Sequence, residues 1–68
     1  MPLNLHVETL NFLSKEMSLR GTQLSVAIGA ARRERLKAEL SNLAQRLDLE
    51  LLFYANARAA QERLNRSE

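Results

Sequence analysis

The sequence predicts an all-α fold, a coiled-coil-like helical hairpin in which a short N-terminal helix packs against a long C-terminal helix. Fourteen leucines and nine alanines stand beside many Glu, Arg, Lys and Gln residues, and only two glycines and one proline interrupt these helix formers. The apolar residues also recur at helical spacing over most of the chain. At 68 residues the chain forms one small helical domain, residues 1–68.

Two glycines compete for the turn that ends the N-terminal helix. Arg20 suits the negative end of a helix dipole, Gly21 can take the left-handed conformation that ends a helix, and Thr22 can cap the next helix. These signals favour a turn near Gly21. Gly29 stays open as the alternative, because one heptad register continues across Gly21. That register contains Leu3, Val7, Leu10, Met17, Leu24 and Ile28.

The C-terminal helix, from residue 34 onwards, has two apolar stripes. The first contains Leu36, Leu40, Leu43, Leu47, Leu51 and Tyr54. The second contains Leu49, Phe53, Ala57, Ala60 and Leu64. At ~100° per residue the second stripe lies more than a third of a turn from the first. A hairpin covers one stripe of each helix, so Leu49, Leu52 and Phe53 are predicted to face solvent unless another molecule covers them.

A chain of this size needs stabilisation beyond its own core. It buries only ~60% of the surface that its unfolded form exposes. It contains no cysteine for disulfides, and the single histidine, His6, cannot build a structural zinc site alone. No cofactor and no metal are therefore predicted. Association is the remaining means of stabilisation, either with another protein or as a homo-oligomer, of which a dimer is the first expectation.

The predicted function is that of a non-enzymatic protein-binding module, such as a small adaptor, co-chaperone or inhibitor. The apolar face of the C-terminal helix is the predicted binding surface, with Phe53 as a buried anchor of the kind enriched at interfaces. The predicted protein-binding residues are Leu49, Leu52, Phe53, Tyr54, Ala57, Ala60 and Leu64.

Catalysis is not expected, because no side chains are arranged for it. No serine stands in a Gly-x-Ser-x-Gly context, and His6 stands alone near the N-terminus. The chain also has no glycine-rich phosphate loop.

The basic run AARRERLKAEL, residues 30–40, raises the alternative of a small nucleic-acid-associated regulator acting through residues 32–37. Its cations, at three- and four-residue spacings, wrap around the helix, whereas a nucleic-acid surface needs them on one side. Glu34 and Glu39 are interleaved, and an Arg35–Glu39 ion pair is expected. The run is interpreted as a solvated helix surface with a possible electrostatic contact to an acidic partner. The residues of that contact are Arg32, Arg33, Arg35 and Lys37.

A repressor-type helix-turn-helix is not predicted from the same region. The segment DLELLFYANARAA, residues 48–60, occupies the place of the recognition helix and is too apolar for a major groove.

Membrane insertion is also not predicted. No apolar run approaches ~20 residues. The start, MPLNLHVETL, lacks a basic region followed by an apolar core, so a cytoplasmic protein is expected. A helix lying on a membrane surface is a weaker alternative, because both charge signs flank the apolar sector.

Overall fold

The computed structural model describes residues 3–66, which form two helices packed against each other as a hairpin. Helix α1 spans Leu3–Val26 and helix α2 spans Ala30–Arg66. The predicted all-α helical hairpin is confirmed. The N-terminal helix was predicted to be short, but α1 has 24 residues against 37 in α2. Neither helix is long and apolar enough, within the described residues, to cross a membrane.

The turn lies at residues 27–29, so the prediction of a turn near Gly21 was wrong and the Gly29 alternative is correct. Gly29 has a φ of 95°, the left-handed conformation that glycine adopts without steric cost. Gly21 stays inside α1. The neighbouring Thr22 does not cap a new helix, because its hydroxyl donates to the Ser18 carbonyl one turn earlier, at 3.0 Å. The register that continues across Gly21 was therefore the better guide, although its members Val7 and Ile28 were wrongly included, because both side chains are exposed outside the contact between the helices.

Arg33 closes the turn from the opposite helix. Its backbone N–H donates to the Gly29 carbonyl at 3.2 Å, which starts α2. Its guanidinium donates to the Leu24 carbonyl at 3.2 Å and to the Ala27 carbonyl at 3.4 Å. Carbonyls at a helix C-terminus lack intrahelical partners, and a cation there also complements the helix dipole. One cation of the basic run thus holds the hairpin together.

The two helices meet along a facing stripe whose members are buried or half-buried and alternate in spacing between three and four residues. In α1 the stripe contains His6, Leu10, Leu13, Met17, Arg20, Leu24 and Ala27. In α2 it contains Leu36, Leu40, Leu43, Leu47, Glu50 and Tyr54. Leu13 and Leu36 are the only buried apolar side chains among the described residues. The apolar interior of the hairpin is therefore very small.

Leu51 was predicted to belong to this stripe, and that prediction was wrong. Leu51 is 47% exposed, and Glu50 takes its place against α1. The alternation of four and three residues passes from Leu47 to Glu50 and then to Tyr54, because the two helices follow each other with a period near 3.5.

Polar side chains connect the helices at two levels. His6 Nδ1 lies 3.2 Å from Glu50 Oε2, and His6 is buried. Nearer the turn, Arg20 Nε lies 3.3 Å from Glu39 Oε2, and Arg20 also pairs with Glu16 of its own helix. The expected Arg35–Glu39 ion pair does not form, because Glu39 binds the opposite helix. Polar pairs between facing helices fix the register in which the helices pack.

Candidate protein-binding surface

The hairpin has two broad faces, one on each side of the facing stripe. At ~100° per residue, the residue before a facing residue points to one side and the residue after it to the other. Since the helices are antiparallel, the preceding residues of both helices lie on the same side. Arg20 shows this geometry directly, because its guanidinium contacts Glu16 of α1 and Glu39 of α2 together. We name the side of these two glutamates the front face.

The front and back faces carry different residues. The front face carries Leu5, Phe12, Leu19 and Val26 of α1, with Arg32, Arg35, Arg46, Leu49 and Phe53 of α2. The back face carries Val7, Ser14, Gly21 and Ile28 of α1, with Lys37, Ala44, Leu51 and Arg58 of α2. Leu52 points away from α1, between the two faces on the outside of α2.

The apolar residues of α1 on the front face form a line with a strict repeat of seven residues. Leu5, Phe12, Leu19 and Val26 are all exposed, Phe12 by 56% and Val26 by 74%. At 1.5 Å per residue the line is ~31 Å long. The apolar stripes predicted from the sequence do not include this line, although its repeat lies one residue ahead of His6, Leu13, Arg20 and Ala27. Four equally spaced apolar residues outside the interior form an elongated exposed apolar surface.

In α2, the front face continues through Leu49 and Phe53. Leu49 is 51% exposed and Phe53 is 45% exposed. The two-stripe pattern predicted that Leu49, Leu52 and Phe53 would face solvent in an isolated hairpin, and the structure leaves all three exposed. Leu5 lies at their level, because the neighbouring His6 contacts Glu50. Both helices thus contribute apolar side chains to this end of the front face.

The remaining predicted binding residues do not lie on the same surface. Tyr54 and Ala57 are half-buried, and Tyr54 belongs to the facing stripe. Ala60 is half-buried on the front side, while Leu64 is 63% exposed. Since His6 is level with Glu50, the last of these residues lie beyond the level at which Leu3 begins α1. The structure therefore divides the predicted set between the front face, the hairpin interior and the extension of α2.

The four cations of the basic run also point in different directions, as their spacing predicted. Arg33 faces α1 and closes the turn, and Lys37 pairs with Glu34, with Nζ 3.4 Å from Oε1. Arg32 and Arg35 lie exposed on the front face, and neither forms an ion pair with any residue of the described part of the chain.

The charges of the front face are unbalanced. Its carboxylates near the turn, Glu16 and Glu39, both pair with Arg20. Arg46, like Arg32 and Arg35, has no carboxylate partner within residues 3–66. The front face thus combines an apolar line with uncompensated arginines.

The described residues enclose no pocket. Within the same part of the chain, no three His, Asp or Glu side chains come together as a group that could hold a metal ion.

The fold and this surface define the molecule as a two-helix hairpin with an unpartnered apolar face. A scan against protein-family models finds no match, and searches of curated proteins and of solved structures find no significantly similar protein.

Proposed function

We propose that the hairpin is a non-enzymatic protein-binding module of the adaptor, co-chaperone or inhibitor class, acting in the cytoplasm. One observation carries this proposal. Two leucines are buried in the described residues, whereas eleven large apolar side chains of the same region are at least 40% exposed. Exposed apolar surface of this extent on a small chain is typical of a protein that completes its core with a partner.

The energetic reason is that covering these side chains supplies the apolar burial that the small interior of the hairpin lacks. Fully burying a Leu or Phe side chain contributes ~1.5–3 kcal/mol. A partner that covers several of them binds only the folded hairpin and stabilises it by mass action. Folding and binding are thereby coupled.

Phe53 is the proposed anchor of the interface, together with Leu49. The two side chains lie one helical turn apart on the front face and remain about half exposed. Leu5 of α1 lies at the same level of the hairpin, so a partner would meet a cluster built from both helices. Aromatic anchors surrounded by apolar neighbours carry much of the binding energy of protein interfaces.

Substitution of Phe53 and Leu43 by glutamate separates binding from folding. Phe53→Glu places a charge in the proposed contact and is expected to abolish association while at least part of the helix content remains. Leu43→Glu places the same charge between α1 and α2 and is expected to lose helix content first. Circular dichroism measures the helix content, and light scattering measures the mass. A Phe53→Glu variant that stays fully associated and binds as before would contradict the proposal.

A small nucleic-acid-associated regulator remains the second candidate, favoured by Arg32 and Arg35 on one face with no carboxylate partner among the described residues. Such binding would weaken steeply with salt, because neutralised phosphates release counterions. Titration of a short DNA duplex at two salt concentrations tests it. Binding that is lost in the Arg32→Gln/Arg35→Gln variant and kept in Phe53→Glu would favour this candidate over the protein-binding module.

A further inference from the structure

We infer that the front face binds a helix of another protein, one with an apolar stripe flanked by acidic side chains. The inference rests on the proposed protein-binding function and names the kind of partner. Three features of the front face carry it: the period of its apolar line, the sign of its charges and its length.

The period of the apolar line fits a helical partner. Leu5, Phe12, Leu19 and Val26 repeat every seven residues, which is two helical turns. Such a line stays straight along a neighbouring helix only when the neighbour has the same near-3.5-residue period. An extended strand or a loop presents its side chains with a different repeat and meets only some of the four.

The charges of the front face select an acidic partner. Arg32, Arg35 and Arg46 flank the apolar residues and have no carboxylate partner within residues 3–66, whereas Glu16 and Glu39 are occupied by Arg20. Carboxylates on the partner would neutralise these arginines. Exposed pairs contribute only ~0–1 kcal/mol each, so their main effect is on association rate and on partner choice.

A second copy of the chain fits this face less well. Two front faces stacked on each other would bring six arginines without carboxylate partners among the described residues into one interface, and gathered like charges disfavour a contact. The back face of a second copy has a smaller apolar content, with Ser14, Gly21 and Ala44 in its central part. A front-to-back contact is also heterologous and leads to open chains of molecules unless its rotation closes.

The length of the apolar line sets the length of the partner. A helix that follows ~31 Å of surface has about 21 residues, or close to six turns. The exposed line of α1 and the arginines of α2 lie side by side on the front face.

A pair of synthetic peptides of about 28 residues tests the inference. One carries leucines at alternating three- and four-residue spacing with glutamates beside them, and the other carries lysines in place of the glutamates. Fluorescence anisotropy with the full chain measures both affinities at low and high salt. We expect the glutamate peptide to bind at least about tenfold more tightly, with a difference that shrinks as salt rises.

Two matched pairs of variants locate the contact. Leu49 and Leu51 are both leucines, about half exposed and two residues apart, but they lie on opposite faces. Leu49→Glu is expected to lower the affinity for the glutamate peptide at least about tenfold, whereas Leu51→Glu is expected to leave that affinity unchanged. Likewise, the Arg32→Glu/Arg35→Glu variant is expected to bind the lysine peptide more tightly than the glutamate peptide. Lys37→Glu, on the back face, is expected to keep the preference for the glutamate peptide.

Three results would overturn the inference. They are equal affinity for the two peptides, binding of neither peptide, and an equal loss in Leu49→Glu and Leu51→Glu. A hairpin that forms dimers without peptide, and loses them in Leu49→Glu, would show that a second copy occupies the front face. In that case the proposed protein-binding function would stand, and the inference of an acidic helical partner would be wrong. The function itself fails only if Phe53→Glu leaves every association unchanged.

Discussion

The two ends of the hairpin are built differently. At the turn, Gly29 and the guanidinium of Arg33 close the end of α1, and Arg20 joins the helices between two glutamates. At the open end, the bond between His6 and Glu50 is the one polar contact between the helices within residues 3–66. There, four apolar side chains of α2 remain exposed: Leu49, Leu51, Leu52 and Phe53.

The difference shows where the chain satisfies its own requirements and where it does not. At the turn end, residues of the same chain satisfy the C-terminal carbonyls of α1 and pair with Glu16 and Glu39, while Arg32 and Arg35 keep no carboxylate partner among the described residues. The open end leaves apolar side chains in solvent, and α2 continues past the start of α1 by roughly 20 Å at 1.5 Å per residue. Contact with another molecule removes apolar surface from water and so lowers the free energy of the complex. We therefore expect a partner to contribute most to stability at the open end.

The largest expected effect separates interior leucines from those of the open end. Leu13→Ala removes a side chain that is 0% exposed and should cost about 2–5 kcal/mol, enough to unfold so small a domain. Leu52→Ala removes a side chain that is 56% exposed and should change stability by under about 0.5 kcal/mol. Thermal unfolding followed by circular dichroism measures both. Equal losses in the two variants would show that the hairpin interior is not where the structure places it.

A pair of glycine substitutions with opposite signs gives the next effect. Gly21→Ala adds a methyl group where no atom lies within 4 Å, inside a helix that alanine favours, and should stabilise by about 0.5–1 kcal/mol. Gly29→Ala forces a side chain into the left-handed region and should destabilise by about 1–2 kcal/mol. Melting temperatures of the two variants, compared with the wild type, give the signs. A destabilising Gly21→Ala together with a stabilising Gly29→Ala would show that the turn lies at Gly21.

The smallest effect tests the cap at the turn. Arg33→Gln removes the guanidinium that donates to Leu24 and Ala27 and should cost about 1 kcal/mol. Arg32→Gln, one residue earlier and without an ion pair among the described residues, should be neutral within about 0.5 kcal/mol. Urea titration of both variants makes the comparison. A neutral Arg33→Gln would show that the turn closes without its cation.

The helical hairpin was predictable because composition and apolar period agree along the whole chain. The exposure of Leu49, Leu52 and Phe53 was predictable for the same reason, since two stripes on one helix cannot both face α1. The turn was placed at the wrong glycine because Arg20, Gly21 and Thr22 match local helix-end signals. The continuation of the facing stripe through Arg20 and Leu24 overrides those signals, and only the packing of both helices reveals it.

The exchange of Leu51 for Glu50 has a similar cause. Hydrophobicity alone selects Leu51 for the stripe, whereas the structure selects Glu50, which has His6 as a partner across the hairpin. The sequence contains no local sign that a residue 44 positions away will satisfy that carboxylate. The Arg20–Glu39 pair was hidden in the same way, because it also depends on the register between the helices.

The native mass of the complex that contains this chain tests the central claim, that the hairpin functions with its apolar surface covered by another chain. The measurement is native mass spectrometry of the protein purified from its host under non-denaturing conditions. We predict a mass well above the 7.7 kDa of the single chain, with the added mass lost in Phe53→Glu. A 7.7 kDa monomer with an unchanged melting temperature at every concentration would contradict the account.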